Sequence, residues 1–206
     1  MSAPRLLVVF YSRGGVVEGL ANAVGDGAAL AGAEVRLRRA RELVGPEVMQ
    51  LAPGWAEGAA RMNALYQPPS ADDMRWADGY AFGAPTRFAS AASELRAFLE
   101  SLGALWLSNE LKGKPAGVFT AASAPHGGLE TTALGLYPTL AHLGMIIVPT
   151  GYGHAASRRA GTPYGAGSTA RGTPTEDDLA IARYQGEGLA AVTAALIPLR
   201  AAAPAA

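Results

Sequence analysis

The chain has 206 residues, half of them hydrophobic, with 17 Lys plus Arg matched by 17 Asp plus Glu and no cysteine. This size and apolar content suit one large domain with a substantial core, and the balanced charge provides no basic field to attract nucleic acid. The missing thiols exclude disulfides, thiolate metal sites and a cysteine nucleophile, so any redox role requires a bound cofactor.

The first apolar run, Leu6-Leu7-Val8-Val9-Phe10-Tyr11, reads as a strand buried on both faces. It is too short to cross a bilayer and lacks a signal-peptide cleavage site, so no membrane insertion is expected and the default location is the cytoplasm. At Ser12-Arg13-Gly14-Gly15 the period changes, and a helix follows over about Val16 to Leu30. Such a loop brings several backbone N–H groups, the Ser12 hydroxyl and the positive end of a helix to one spot, which suits a single terminal phosphate. The glycines alone are equally explained by an ordinary tight turn. Neither the three-glycine dinucleotide spacing nor the Gly-Lys-Ser/Thr ending of a P-loop is present, which argues against a nicotinamide-binding Rossmann domain and an NTPase.

Glu34-Val35-Arg36-Leu37-Arg38 alternates and reads as a second strand near a sheet edge. Gly79 to Gly83, Ala116 to Thr120 and Met145 to Val148 supply a third, fourth and fifth. Helices are expected over about Ala92 to Leu102, Gly128 to Leu143 and Asp177 to Leu196, the last announced by Thr175 and three acidic residues. This alternation predicts an α/β flavodoxin-like three-layer sandwich: a five-stranded parallel sheet in the order 2-1-3-4-5 with helices on both faces. It forms a single domain over residues 1–200, followed by a disordered tail at 201–206.

Ligands of such a sheet bind where the strand order reverses, so the loops Ser12 to Val17, Ala84 to Ser90 and Ala121 to Gly128 are expected to meet. Two stretches, about residues 43–70 and 150–174, exceed the connections that the sheet needs. They are either functional, or cover an interface, or form mobile surface loops; their aromatics Trp55, Tyr66, Tyr152 and Tyr164 favour burial.

In the second loop Pro85 shapes the turn, Thr86 offers hydrogen bonds, Arg87 a cation and Phe88 a flat apolar surface, a set that suits an anionic planar heteroaromatic ligand. Taken singly, Arg87 fits a carboxylate pair and Phe88 fits a core. Trp106 either seals the core or lines a cleft for flat substrates. His142, near a helix end, is a cap or dipole partner, or a functional group if the neighbouring loops approach it. The histidines His126, His142 and His154 have no close carboxylate cluster, so no metal site is expected, and Gly-x-Ser-x-Gly is absent.

Several segments together carry a resemblance. They include Phe10-Tyr11-Ser12, Gly83-Ala84-Pro85-Thr86-Arg87-Phe88, Gly103-Ala104-Leu105-Trp106 and Gly127-Gly128-Leu129-Glu130-Thr131-Thr132. Further on come Leu140-Ala141-His142-Leu143-Gly144-Met145, Gly161-Thr162-Pro163-Tyr164-Gly165-Ala166 and Ile181-Ala182-Arg183-Tyr184-Gln185-Gly186. On these the chain resembles, nearly end to end, the WrbA-type NAD(P)H:quinone oxidoreductases, which are flavodoxin-like FMN proteins.

The resemblance implies one FMN per subunit, its phosphate held by Ser12, Arg13, Gly14, Gly15, Val16 and Val17. The flavin ring would lie against Pro85, Thr86, Arg87 and Phe88 and against Ala121, Ala122, Ser123, Ala124, Pro125, His126 and Gly127. NADH or NADPH would deliver a hydride and a quinone would then take two electrons, a ping-pong cycle. His142 and Trp106 would line the substrate pocket above the ring, His142 offering a hydrogen bond to the quinone oxygen. The family is tetrameric, so a homotetramer is expected, with a dimer as the alternative, and the two insertions would carry the contacts that complete each site.

Two departures stand out. Gly14 and Gly15 replace a tyrosine and a histidine, the tyrosine being associated with the nicotinamide nucleotide, and Ala121-Ala122-Ser123-Ala124 replaces Ser-Thr-Gly-Thr. The other readings are a flavodoxin-like single-electron carrier and a regulatory protein, flavin-binding or cofactor-free.

Overall fold

A computed structural model describes residues 3–202. Alternate residues of a strand face opposite sides of a sheet, and in β1 (Arg5–Phe10) both sets are apolar, so the strand takes a central place with helices over each face. Leu6, Val8 and Phe10 pack with α1 (Val16–Leu30) and α8 (Glu176–Ala201). Leu7 and Val9 join the opposite core with Tyr80 and Phe82 of β3 (Gly79–Arg87), α5 (Ser93–Glu100) and α7 (Leu129–His142).

The main path of the sheet runs β2-β1-β3-β5-β6, with β2 at Glu34–Arg39, β5 at Pro115–Ala121 and β6 at Ile146–Ile147. All of these pairings are parallel, and counted along the predicted strands this is the expected order 2-1-3-4-5. Two short strands were not foreseen: β4 (Ser90–Ala91) turns back antiparallel on β3, and β7 (Gly167–Ser168) continues the sheet beside the end of β5. Because β3 extends to Arg87, Pro85, Thr86 and Arg87 belong to a strand end where a loop was expected. The turn itself falls to Phe88 and Ala89, both with positive φ, of 50° and 63°.

The stretch 43–70 is not structureless. A parallel crossover from β2 to β3 must recross the sheet, and it does so through α2 (Pro46–Met49), α3 (Trp55–Leu65) and α4 (Ala71–Trp76), with α6 (Gly103–Leu107) serving later in the chain. The buried residues of α3 are only Trp55, Ala59 and Met62, a stripe too narrow to stand out from its exposed neighbours. A reciprocal cap between Ser70 and Asp73 starts α4. Of the aromatics expected to bury, Trp55 does, Tyr66 and Tyr164 do in part, and Tyr152 is mostly exposed. In 150–174, a 3-10 turn at Ala155–Arg158 and a tight bridge between Thr162 and Gly165 lay the chain on β5, where a β-carbon on Gly165 would meet the Val118 carbonyl oxygen at 1.9 Å.

The last helix runs five residues past its expected end, to Ala201, so it takes in the first residue of the tail expected at 201–206; positions 203–206 lie outside the described residues. The α1–α8 contact is a backbone contact. A β-carbon on Gly27 would lie 2.0 Å from the Arg183 carbonyl oxygen and one on Gly186 would lie 2.0 Å from that of Val24, so neither helix accepts a side chain there. Gly188 on the same helix faces open space. Gly186→Ala is therefore expected to destabilise the protein by about 1–3 kcal/mol through overpacking. Gly188→Ala should stabilise it by up to about 1 kcal/mol through helix propensity. Urea unfolding midpoints of the two variants should move in opposite directions.

Candidate functional site

At the carboxyl edge, where the chain order reverses between β1 and β3, the sheet opens into a cleft of about 390 Å³, within the range of small-molecule sites. The floor is the loop between β1 and α1. Its entry is fixed by the Tyr11 N–H, which donates to the Gly83 carbonyl at 2.9 Å. The Gly15 N–H then donates to Ser12 Oγ at 3.1 Å, closing the loop on itself. Gly15 has φ 92°, a left-handed conformation in which a β-carbon is strained, so the histidine suggested by the resemblance has no easy place there.

Helix α1 starts without a side-chain cap. The Val16, Val17 and Glu18 N–H groups therefore have no carbonyl one turn earlier, and those of Arg13 and Gly14 are equally without partners among the described residues. Ser12 Oγ, which accepts from Gly15, keeps its proton to donate. The one carboxylate of the first turn, Glu18, is engaged by Arg61 of α3. What remains is a ring of donors with a positive helix end and no internal acceptor, which is the chemistry a phosphomonoester requires.

Beneath the loop lies Arg39, the last residue of β2 and wholly buried. Its Nη2 donates to the Ser12 carbonyl at 3.0 Å and its Nη1 to Asn63 Oδ1 of α3 at 2.6 Å. Both terminal nitrogens also pair with Glu42, and the guanidinium lies over the Tyr11 ring, while Nε has no partner. Burial pushes the Glu42 carboxyl up, but hydrogen bonding and charge from Arg39 outweigh it and hold Glu42 below the usual carboxylate range.

One wall is supplied by Pro53, Gly54 and Trp55 of the β2–β3 crossover, with the Arg13 guanidinium 3.5 Å above the Trp55 ring. The other wall is built by Pro85, Thr86 and Arg87 of β3, by Ala121, Ala122 and Ser123 after β5, and by Ala170 and Arg171. Thr86 Oγ1 accepts from Thr132 of α7 at 2.7 Å, the Ala122 N–H donates to the Ser168 carbonyl at 2.9 Å, and Arg171 Nε donates to the Ser123 carbonyl at 3.3 Å. Arg87 makes no carboxylate pair; its Nη1 donates to the Thr86 carbonyl at 2.9 Å. No Asp or Glu lines the cleft.

Of the residues expected to hold a cofactor, Ser12, Arg13, Gly14, Val16, Val17, Pro85, Thr86, Arg87, Ala121, Ala122 and Ser123 all line this cleft, and Gly15 closes its floor. Ala124, Pro125, His126 and Gly127 form the turn beyond it and do not line it. Phe88 is neither core nor wall: it is fully exposed and borders a shallow groove with Leu43 and Val44. Trp106 does not seal the core, since half of it is exposed. Trp106 and His142 come together, but in a second depression of about 420 Å³ with Leu99, Pro138 and Leu143, outside the first cleft. Among the described residues no cluster of three potential metal ligands occurs.

Sequence reasoning missed Arg39, Asn63, Pro53, Gly54 and Arg171. Arg39 was hidden because it lies one residue past the polar edge strand expected at Glu34 to Arg38. Trp55 was marked for burial, without a place.

Residues 6–158 match the family described as NADPH-dependent FMN reductase. A protein of Geobacter sulfurreducens named NAD(P)H dehydrogenase (quinone) is 38% identical over 201 residues, covering 93% of this chain and 98% of its own length. A protein of the same name from Deinococcus radiodurans is 38% identical over 202 residues, with 96% and 100% covered. Among solved structures, a WrbA-like flavodoxin from Agrobacterium tumefaciens superposes with a TM-score of 0.66 at 21% identity, covering 93% of this chain and 98% of that one, a likeness of fold.

The buried pair beneath the loop yields a pH-dependent expectation. Glu42→Gln leaves the Arg39 charge uncompensated and should cost about 3 kcal/mol at neutral pH. Because the Glu42 pKa is lowered on folding from 4.5, its contribution is complete above that value and is lost as the pH falls through the folded-state pKa. Urea unfolding of wild type and variant should differ at pH 7 and converge as the pH drops below the ordinary carboxylate range.

Proposed function

The chain belongs to the NADPH-dependent FMN reductase family, and on that premise we propose that it binds FMN in this cleft and catalyses two-electron reduction of quinones by NADH or NADPH. The observation that carries the reading is the floor of the cleft: among the described residues, five unpartnered N–H groups and a serine hydroxyl proton at an uncapped helix start, whose one nearby carboxylate, Glu18, is engaged by Arg61. A monophosphate satisfies every one of these donors. When bound, the flavin supplies the hydride-accepting and hydride-donating chemistry that no side chain of this cysteine-free chain provides.

The protein's part is to bind, orient and shield. The loop from Ser12 to Val17 holds the phosphate, its shape maintained by Arg39 from below. Pro85, Thr86 and Arg87 on one side and Ala121, Ala122 and Ser123 on the other would hold the ring, Thr86 fixed by its hydrogen bond from Thr132. In a ping-pong cycle the donor leaves before the quinone enters, so one cleft serves both.

Trp106 and His142 take the role of a wall over a neighbouring subunit's flavin, His142 offering a hydrogen bond to the quinone oxygen. Their place outside their own cleft and the exposure of Trp106, Leu107 and Phe88 support a homotetramer, with a dimer as the smaller alternative. Among the described residues no helix is long and apolar enough to cross a membrane. The apolar run at residues 6–10 is a buried strand of the sheet, and the absence of cysteine from the sequence favours a cytoplasmic location.

Anaerobic titration of the FMN-loaded protein with NADPH should bleach the flavin band, and benzoquinone should then restore it. Failure to take up FMN, or oxidation only by a one-electron protein acceptor, overturns the reading, the latter in favour of an electron carrier. Trp106→Ala should raise the quinone KM about tenfold, the worth of one aromatic contact, without lowering flavin content.

A further inference from the structure

Arg13, Arg87 and Arg171 line the cleft without a carboxylate partner among the described residues, whereas seven arginines elsewhere are paired with Asp or Glu. A flavin monophosphate brings at most about two negative charges. The loop N–H groups and Ser12 already face that group, so the cleft holds more positive charge than one phosphate uses.

The arrangement of Arg13 is specific. Its guanidinium lies flat on Trp55, 3.5 Å from the ring centre, and none of its N–H groups donates a hydrogen bond among the described residues. Stacking occupies the face of a guanidinium and leaves the in-plane donors free, the geometry in which arginine grips a phosphate through two parallel bonds. The platform is fixed: Trp55 is buried at the start of α3, and the Arg61–Glu18 pair ties that helix to α1. Beside Arg13, Gly14 leaves open space, with nothing within 4 Å of where its β-carbon would be. Arg171, exposed on the opposite wall, is held only by its single bond to the Ser123 carbonyl.

We propose that Arg13, held flat against Trp55, and Arg171 across the cleft form a second phosphate subsite that binds the phosphates of the dinucleotide reductant and favours NADPH over NADH. The subsite rests on the function proposed above and supplies, by charge and from neighbouring positions, the nucleotide contact that Gly14 cannot provide. Arg13→Met keeps an apolar stem against Trp55 and removes the donors; Arg171→Met removes the donors across the cleft.

The test uses FMN-loaded protein and two probes, adenosine 2′,5′-bisphosphate and adenosine 5′-monophosphate, titrated calorimetrically without turnover. The bisphosphate should bind at least about tenfold more tightly than the monophosphate, the scale of one charge-assisted pair, and Arg13→Met should abolish that margin while flavin absorbance per subunit stays constant. Arg171→Met should reduce it in part, and Arg13→Lys should restore some of it. In turnover, Arg13→Met should raise KM for NADPH more than for NADH. Equal affinity of the wild type for both probes overturns the proposal, as does an unchanged margin in Arg13→Met. Loss of FMN but not riboflavin binding in that variant also overturns it, by assigning Arg13 to the flavin phosphate. Since the calorimetry needs no quinone chemistry, a failure of quinone reduction would count against the proposed function alone.

Discussion

A guanidinium with no access to solvent must be surrounded by acceptors, and the carboxyl edge of this sheet is organised around that requirement at Arg39. The four groups that answer it come from three places: the Ser12 carbonyl from the loop after β1, the two Glu42 oxygens from the turn after β2, and the Asn63 amide oxygen from α3. The charge thereby ties together segments that no sheet hydrogen bond connects. Because the Ser12 carbonyl is drawn down toward Arg39, the peptide N–H groups of the loop are left to face the cleft. The donor-rich character of the floor is in this sense set from underneath.

The same constraint accounts for the crossover between β2 and β3. Helix α3 packs on the outside of the loop through Trp55, Gly58 and Met62, Arg61 claims Glu18 of α1, and Asn63 claims Arg39. What looked in the sequence like surplus chain is the outer wall of the cleft and a brace for its floor. The wall also carries the one aromatic platform in the cleft, so the segment that shapes the flavin pocket is the one that orients Arg13.

The legible parts of this fold were those written in long, strongly patterned runs. The doubly buried β1, the first helix, the five-strand order and the capped start of α8 follow from apolar period and from Thr175 with its three acids. Helix α3 was not legible because its buried stripe is three residues wide and two glycines lie at or near its start, Gly54 and Gly58. The loops at the sheet edge meet as expected, and the residues named for the floor and for the β3 wall line or close one cleft, apart from Phe88. Phe88 was misplaced because the reading could not see that β3 runs on through Arg87 and then reverses in two positive-φ residues, which turns the ring away from the cleft. Trp106 and His142 are neighbours across α6 and α7, yet their distance from their own cleft depends on tertiary placement, which no local pattern encodes. The Arg39 network joins residues from three crossings of the fold and leaves no local signature.

The glycine-to-backbone contact between α1 and α8 has a consequence for synthesis. The helix that carries the anion-binding end is completed on its outer side by the last helix, nearly the whole described chain away, through Gly27 and Gly186. While the polypeptide emerges from the ribosome, the first strand, its loop and its helix exist early, but the groove beside them stays vacant until the final helix is made. Until then the apolar residues of α1 that meet it are exposed, a place where chaperones have reason to bind.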